Sequence, residues 1–429
     1  MPTNNSCEAV AVRSEPLRRF GLMMGAAALL GACAAMPNQQ MADRSAAERP
    51  TTEAQSLDAA VTGLTVALFA RAQLDLSEQR TLVVDPPVDL NTVRHAVVTR
   101  DVERRIVRVV GQRFPNMKAS AMAESSLERK PVVLLSCMTP VAAPGAMQSY
   151  TEGPPKTYRI WASLSDTRTG KIVSSETVWV RAEDVDATPT RFFQDSPVWA
   201  MDRNMQAYLK VCGGKPGETM DPAYLNGMSA SIVTNQAISA YESKRYPEAL
   251  ASYTQASLLP GGDQTRVLNG VYLSNLALGR PQAAEDAFGR MVDAGLTQGK
   301  LAVKFVFRPA SVQFWSDRAI TGQYPAWLRQ IAQRSAARNT CLRLIGHTSP
   351  TGAPAANEVL SERRAQFVRT QLVRREPSLR TRTEARGRGS RELVVGTGGD
   401  NATDLLDRRV EFEPHDCSTL QAGKAADRV

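Results

Sequence analysis

The sequence predicts a multidomain α+β protein: an α+β module first, a short α-helical stretch of paired hairpins second, and a βαβαβ module last. Three observations carry this expectation. The chain has 429 residues, about three domains' worth, and 43% of them are apolar, enough for several cores. Residues 226–298 resemble themselves at an offset of 35, and 301–417 switch repeatedly between period-2 and period-3.6 apolar patterns. The boundaries implied are 1–32, 33–55, 56–215, 226–298, 301–417 and a tail at 418–429.

The first segment is an export signal. Arg13, Arg18 and Arg19 precede the apolar run Phe20 to Leu30, which ends at small residues. Eleven residues are too few to span a bilayer, for which about 20 are needed. The run continues into Leu30-Gly31-Ala32-Cys33, which resembles the lipobox of bacterial lipoproteins. That resemblance implies cleavage before Cys33 and acylation of Cys33, palmitate among the chains attached. Ala34 follows the cysteine where an aspartate would favour retention in the inner membrane. The resemblance therefore implies a lipid anchor in the outer membrane, facing the periplasm. Residues 34 to about 55, rich in Ala, Gln, Glu and Thr without apolar periodicity, read as a flexible tether.

Export changes the reading of charge and cysteine. The net charge is +9, and 42 of the 52 basic residues are arginine. Such a balance suits nucleic acid, but it suits an anionic cell envelope equally. Removing residues 1–32 deletes three Arg and two Glu, so the basic balance stays with the mature chain. Export takes the protein away from most nucleic acid, and none is expected as a partner. Cys137, Cys212, Cys341 and Cys417 remain in an oxidising compartment. Their spacing suggests one pair per module, Cys137 with Cys212 and Cys341 with Cys417, although four cysteines allow three connectivities.

In 56–215, Leu82 to Pro86 reads as a strand stopped by proline. Val98, Val102, Ile106, Val109 and Val110 then recur at helical spacing, and Pro131 to Met138 reads as a central strand. Tyr158 to Leu164 and Ile172 to Val180 flank Asp166-Thr167-Arg168-Thr169-Gly170-Lys171, a polar turn with glycine. The element order, with Leu-Val-Val-Asp-Pro and Ser-Asp-Thr-Arg-Thr-Gly-Lys-Ile-Val, resembles the small α+β domain of periplasmic flagellar, curli-secretion and penicillin-binding-protein-activator lipoproteins. The resemblance implies a module that binds protein. Asp195 to Trp199 is either a recognition loop or, more economically, a plug with Trp199 closing the module's core.

The offset of 35 pairs Lys244 with Gly279, Ala249 with Ala284, Tyr253 with Phe288 and Ala256 with Met291. The segment Tyr241 to Pro260 and the spacing resemble tetratricopeptide repeats. Two such units need caps from their neighbours. The resemblance implies a peptide groove; a rigid helical spacer is the alternative, and the sequence does not choose.

In 301–417, Leu301 to Phe307 alternates as a strand and Tyr324 to Ala337 carries Trp327, Leu328 and Ile331 on one helical face. Leu342 to Ile345 is a second strand, Ala356 to Val373 a second helix, and Arg409 to Phe412 the last strand. The run Gly346-His347-Thr348-Ser349 and the motif Asn357-x-x-Leu360-Ser361-x-x-Arg364-Ala365, with Asp407-Arg408-Arg409-Val410-Glu411-Phe412, resemble the OmpA-like peptidoglycan-associating domain. In that family a loop aspartate after His-Thr holds the ammonium of diaminopimelate in the wall stem peptide, and the motif arginine pairs with its carboxylate. The resemblance thus implies a wall site at His347, Thr348, Ser349, Asn357, Leu360 and Arg364. Arg364 is in place; Ser349 stands where the family has the aspartate.

No catalytic constellation emerges. Gly295-x-x-x-Gly299-Lys300 lacks the spacing and the hydroxyl of a phosphate loop, and Gly396 to Gly399 lacks a strand-to-helix setting. His347 near Cys341 and Ser349 lacks a third, orienting partner. His95 and His415 are isolated, and no metal-ligand spacing is present. The basic run Arg374 to Arg391 reads as a solvated face. The expected protein is a non-enzymatic lipoprotein without cofactor or metal, linking outer membrane to peptidoglycan and carrying modules for an unidentified periplasmic protein. The alternative is an assembly or regulatory scaffold in which Ser349 has cost the last domain its strong hold on the wall.

Overall fold

The computed structural model describes residues 53–418 except 73, 76, 121–122, 142–156, 309 and 394–406. The signal segment, Cys33, most of the tether, the Gly396 to Gly399 run and all but the first residue of the tail lie outside the described residues. The fold is mixed α+β. Among the described residues no helix is long and apolar enough to cross a membrane.

The first module is built on a mixed sheet. Strands β1 (Arg80–Val84), β2 (Val88–Asp89), β3 (Met117–Ser120) and β4 (Val132–Val141) pair in parallel, β4 being central. Antiparallel strands β5 (Thr157–Asp166) and β6 (Lys171–Arg181) complete it. Helices α1 (Leu57–Arg71) and α2 (Val97–Arg113) share one apolar core with this sheet, in which Leu64, Ile106, Leu134 and Leu164 are fully enclosed. Both faces of β4 are buried, as a central strand in a covered sheet requires. The polar turn between β5 and β6 does more than reverse the chain. Asp166 accepts a 2.8 Å bond from Arg80, both nearly buried, and so fixes the turn to the start of β1.

Helices α3 (Arg191–Asp195) and α4 (Arg203–Cys212) frame β7 (Val198–Trp199). Here the expectation fails: β7 is not the end of the first module. It pairs antiparallel with β8 (Leu301–Lys304), Val198 opposite Val303, and forms the edge of the C-terminal sheet. Trp199 stays half-buried and its indole nitrogen donates to Thr92 O at 2.8 Å. It bridges modules instead of plugging one.

Helices α5 (Pro222–Glu242), α6 (Tyr246–Leu258), α7 (Thr265–Ala277) and α8 (Pro281–Thr297) make two hairpins. The offset-35 pairs occupy equivalent places. Lys244 and Gly279 both take left-handed φ, +63° and +69°, at the turn of each hairpin. Ala249 and Ala284, Tyr253 and Phe288, and Ala256 and Met291 are all buried.

The hairpins do not stand apart. Phe288 stacks on Trp327 of α9 (Tyr324–Ala337), ring centroids 5.4 Å apart, and the Trp327 indole donates to Tyr272 Oη at 2.8 Å. One apolar core runs from Tyr253 through Phe288 and Trp327 to Phe412.

The C-terminal sheet has the order β10, β9, β11, β8, β7, with β9 at Cys341–Gly346, β10 at Thr383–Gly387 and β11 at Arg409–His415. The simple βαβαβ plan omitted β10, which lies inside the run Arg374 to Arg391 that had read only as a solvated face. The one arginine of β10, Arg386, is exposed on a paired edge strand parallel to β9. Strand β8 stops at Lys304, short of Phe307. The chain then folds back so that Phe307 bridges Phe314, and Phe305 and Phe314 stack on each other and pack edge to face with Tyr324. Helix α10 (Pro354–Arg375) lies across the sheet. A Cβ on Gly346 would fall 2.0 Å from Ser361 O, so the helix reaches the strand only because that residue is glycine.

Candidate functional site

The site forms where β9 ends and α10 begins. Residues 347–349 leave the sheet held on two sides: His347 N donates to Arg409 O at 3.0 Å and Thr348 N to Gly389 O at 2.9 Å. Asn357, in the first turn of α10, sends its amide nitrogen to Thr351 O at 3.1 Å and to Ser349 O at 3.4 Å. The loop is therefore stapled to the helix before any ligand arrives. Ser361 and Ala365 are fully buried, small residues that permit the close helix–strand approach, and Ser361 Oγ also accepts from Gly389 N. Leu360 is half-buried.

Arg364 is only 4% exposed. Its guanidinium lies over the Phe307 ring at 4.8 Å, and its nitrogens donate to the carbonyls of Ser311 at 3.1 Å and Arg308 at 3.3 Å. These acceptors belong to the fold-back after β8, and no sequence motif announced them. A guanidinium fork oriented by two carbonyls over a π-face presents the planar geometry that suits a carboxylate. Ser349 is 7% exposed and contributes no charge. The structure thus brings His347, Thr348, Ser349 and Asn357 into one stapled loop. Arg364 lies two helical turns from Asn357, beneath the fold-back.

Behind the loop lies a buried ion cluster that sequence reasoning missed. Glu411 is 0% exposed; its carboxylate meets Arg409 Nε at 2.7 Å and Lys300 Nζ at 2.7 Å, with His347 Nε2 at 3.5 Å. Burial alone would raise the Glu411 carboxyl, but Arg409, His347 and Lys300 hold it well below its usual range. His347 is pushed down, first by burial and then by Arg409, so its ring is neutral at neutral pH. A signal did exist: Arg409 and Glu411 are spaced i, i+2 on one face of a strand whose other face carries Val410 and Phe412.

His347, Glu392 and Glu411 bring one donor atom each within 4.8 Å of one another. Arg409 and Lys300 already contact one Glu411 oxygen each, so a cation there would compete with one of them.

The cysteines come together as Cys137–Cys212, which ties β4 to α4, and Cys341–Cys417, which ties the start of β9 to the segment after β11. Cys341 in that bond is no nucleophile for His347. Of the isolated histidines, His95 is buried edge-on to Phe193, and the His415 ring lies 3.0 Å from Arg343.

No protein-family model and no curated protein matches the chain. Solved structures match part of it. The peptidoglycan-associated lipoprotein from Burkholderia pseudomallei is 26% identical over 27% of this chain and 89% of its own, with a TM-score of 0.23. The cell wall anchor of the type VI secretion system from Pseudomonas aeruginosa is 23% identical over 27% of this chain and 79% of its own, with a TM-score of 0.22. The LpoB C-terminal domain from Salmonella enterica is 12% identical over 30% of this chain and 99% of its own, with a TM-score of 0.21. Each of these similarities covers 27–30% of the chain.

Proposed function

We propose that the protein is a non-enzymatic envelope lipoprotein, held in the outer membrane through acylated Cys33, whose C-terminal module contacts the diaminopimelate of peptidoglycan. Arg364 receives the carboxylate, and the 347–349 loop receives the ammonium through neutral oxygens. The first module and the helical hairpins engage a periplasmic protein. The observation that supports the wall contact is the stapling of the His347-Thr348-Ser349 loop to Asn357 in the same helix that carries Arg364. A prearranged loop lowers the ordering cost of binding.

A second reading has its own observation. Arg364 is engaged by the carbonyls of Arg308 and Ser311, and Ser349 supplies no carboxylate. Both weaken the hold on the wall and favour a scaffold whose chief partner is protein. A charge-assisted contact is worth about 1.5–3 kcal/mol and a neutral one about 0.5–1.5. The missing aspartate therefore costs roughly tenfold in affinity.

Co-sedimentation with purified sacculi separates the two. The wild type is expected to sediment weakly, Ser349→Asp about tenfold more tightly, and Arg364→Ala not at all. Wild type wholly in the supernatant, with Arg364→Ala no different and Ser349→Asp no better, removes the wall contact and leaves the scaffold.

A further inference from the structure

A second polar site lies far from the wall loop in sequence, where the first module meets β7 and the N-termini of α4 and α7. The seam there encloses a cavity of about 30 Å³ lined by Val93, Arg94, Phe193, Trp199, Asp202 and Asn269, among others. That is room for one or two waters or for the head group of a small anion. Of its lining, only Trp199, Ala200 and Arg266 are not fully buried, so entry lies between them.

Arg94 is 6% exposed and its side chain borders this space. Among the described residues its guanidinium makes no hydrogen bond and no ion pair, and burial pushes it down to about 10. A nearly buried guanidinium that makes no hydrogen bond, with only the charge of Asp89 to offset its burial, has donors to offer a ligand in the cavity.

Asp89 attracts Arg94 at longer range, without a hydrogen bond or ion pair. Asp89 Oδ1 accepts from the backbone of Asn91 and Thr92, and Asp202 accepts from Met205 N with one oxygen and Thr265 N with the other. Two further cations stand by: Arg266, bonded to neutral Gln264 and Ser231, and Lys304, whose ammonium donates to Gln194 O. Asp85 and Asp202 act on Arg266 and Asp195 on Lys304, which leaves Arg94 as the cavity-lining cation whose hydrogen-bond donors are unused among the described residues.

The loop that delivers Arg94 is strained. Val93 has φ +50°, a left-handed conformation that is a true outlier for a β-branched residue. It is held there by Val93 N to Asp89 O at 2.7 Å and Asp89 N to Arg94 O at 3.0 Å, with Trp199 gripping Thr92 O from the facing strand. Such strain persists where the surroundings over-determine a residue's position.

We propose that Arg94 is the receptor of a small carboxylate, which enters beside Trp199, takes the guanidinium fork and closes the seam between the first module and the C-terminal sheet. The carboxylate is either that of a free small acid or the terminus of a peptide. This site is independent of the wall reading.

Titration calorimetry on the full-length protein in chloride-free buffer at constant ionic strength tests it, with sodium acetate as the probe and acetamide as its neutral isostere. Saturable binding of acetate, none of acetamide, and a loss of at least about tenfold in Arg94→Met are expected. Equal heats for acetate and acetamide, or wild-type affinity in a folded Arg94→Met, overturn the proposal. If that variant does not fold, the acetate and acetamide comparison on the wild type still decides. An acetylated tri-alanine acid and its amide then separate the sources. Tighter binding of the acid than of acetate identifies a chain terminus, and weaker binding identifies a free small acid.

Discussion

Glu411→Gln removes one charge from beneath the 347–349 loop and keeps the shape of the side chain. In the wild type the carboxylate meets Arg409 at 2.7 Å on one oxygen and Lys300 at 2.7 Å on the other. Arg409 is 3% exposed, and its 2.7 Å contact to the Glu411 carboxylate would lose its charge. Breaking such a buried pair costs about 3–5 kcal/mol. Lys300 adds little, because its side chain is 42% exposed and water can take over.

The loss falls on β9 and β11, where Glu411 stands opposite Ile345 and Val410 opposite Gly346. Hydrogen exchange followed by mass spectrometry reads it directly. Amides in 341–346 and 409–415 should exchange about two to four decades faster, while the first module's sheet is unchanged. The sign with pH follows from the depressed carboxyl. Its contribution is present above the unfolded value of 4.5 and is lost as pH falls through the lower folded value. The gap between wild type and variant should therefore stay constant from about pH 6 to 8 and shrink below about pH 4. A change under about fivefold in these strands, about 1 kcal/mol, or a gap that widens on acidification, would refute the reasoning.

Three further outcomes are expected. Asp85, nearly buried at the end of β1 and accepting from Tyr224 Oη at 2.8 Å, is pushed up to about 6 by burial, so the folded state holds its proton more tightly than the unfolded one. Its contribution is greatest below pH 3.8 and is lost as pH rises through about 6; Asp85→Asn should gain up to about 3 kcal/mol at pH 7.5 and nothing near pH 3.5, measured by thermal unfolding. Gly270→Ala places a Cβ 2.2 Å from Tyr253 Cζ, against a ring that is fully buried beside Phe192, and should cost about 1–3 kcal/mol in urea unfolding; no loss would mean the ring is free to shift. Lys244→Gly relieves a left-handed residue at the first hairpin turn and should stabilise by up to about 1 kcal/mol, read as a higher urea midpoint.

Element by element, periodicity was a good guide where it was long. The helix expected from Val98 onward spans Val97–Arg113, and the hairpin around Asp166 to Lys171 forms with its glycine at φ +67°. The equivalence of Lys244 with Gly279 was visible as an offset before it was visible as a shared backbone conformation. Short elements escaped. β7 has two residues, and β10 carries Thr383-Glu384-Ala385-Arg386-Gly387, a polar edge with no apolar alternation to betray it.

At the candidate site, Asn357, Ser361, Arg364 and Ala365 came from the resemblance to a known motif, and the helix that carries them buries all four on one face. The motif did not identify what Arg364 touches. The carbonyls of Arg308 and Ser311 lie more than fifty residues away and become acceptors only because Phe307 and Phe314 fold that segment back.

The sequence by itself determined the faces of the long helices, the polar hairpin turn and the equivalence of the two helical hairpins. These are local matters of side-chain period, turn chemistry and identity. Tertiary structure alone decided that Val198 and Trp199 leave the first module for the C-terminal sheet, that the hairpins share a core with α9, and that Glu411 is neutralised by Arg409 and Lys300. It also decided that Arg94 is buried near Asp89 yet makes no hydrogen bond among the described residues. Strand partners and charge partners are chosen by which surfaces packing removes from water, and that choice couples residues a hundred positions apart, beyond the reach of any local pattern.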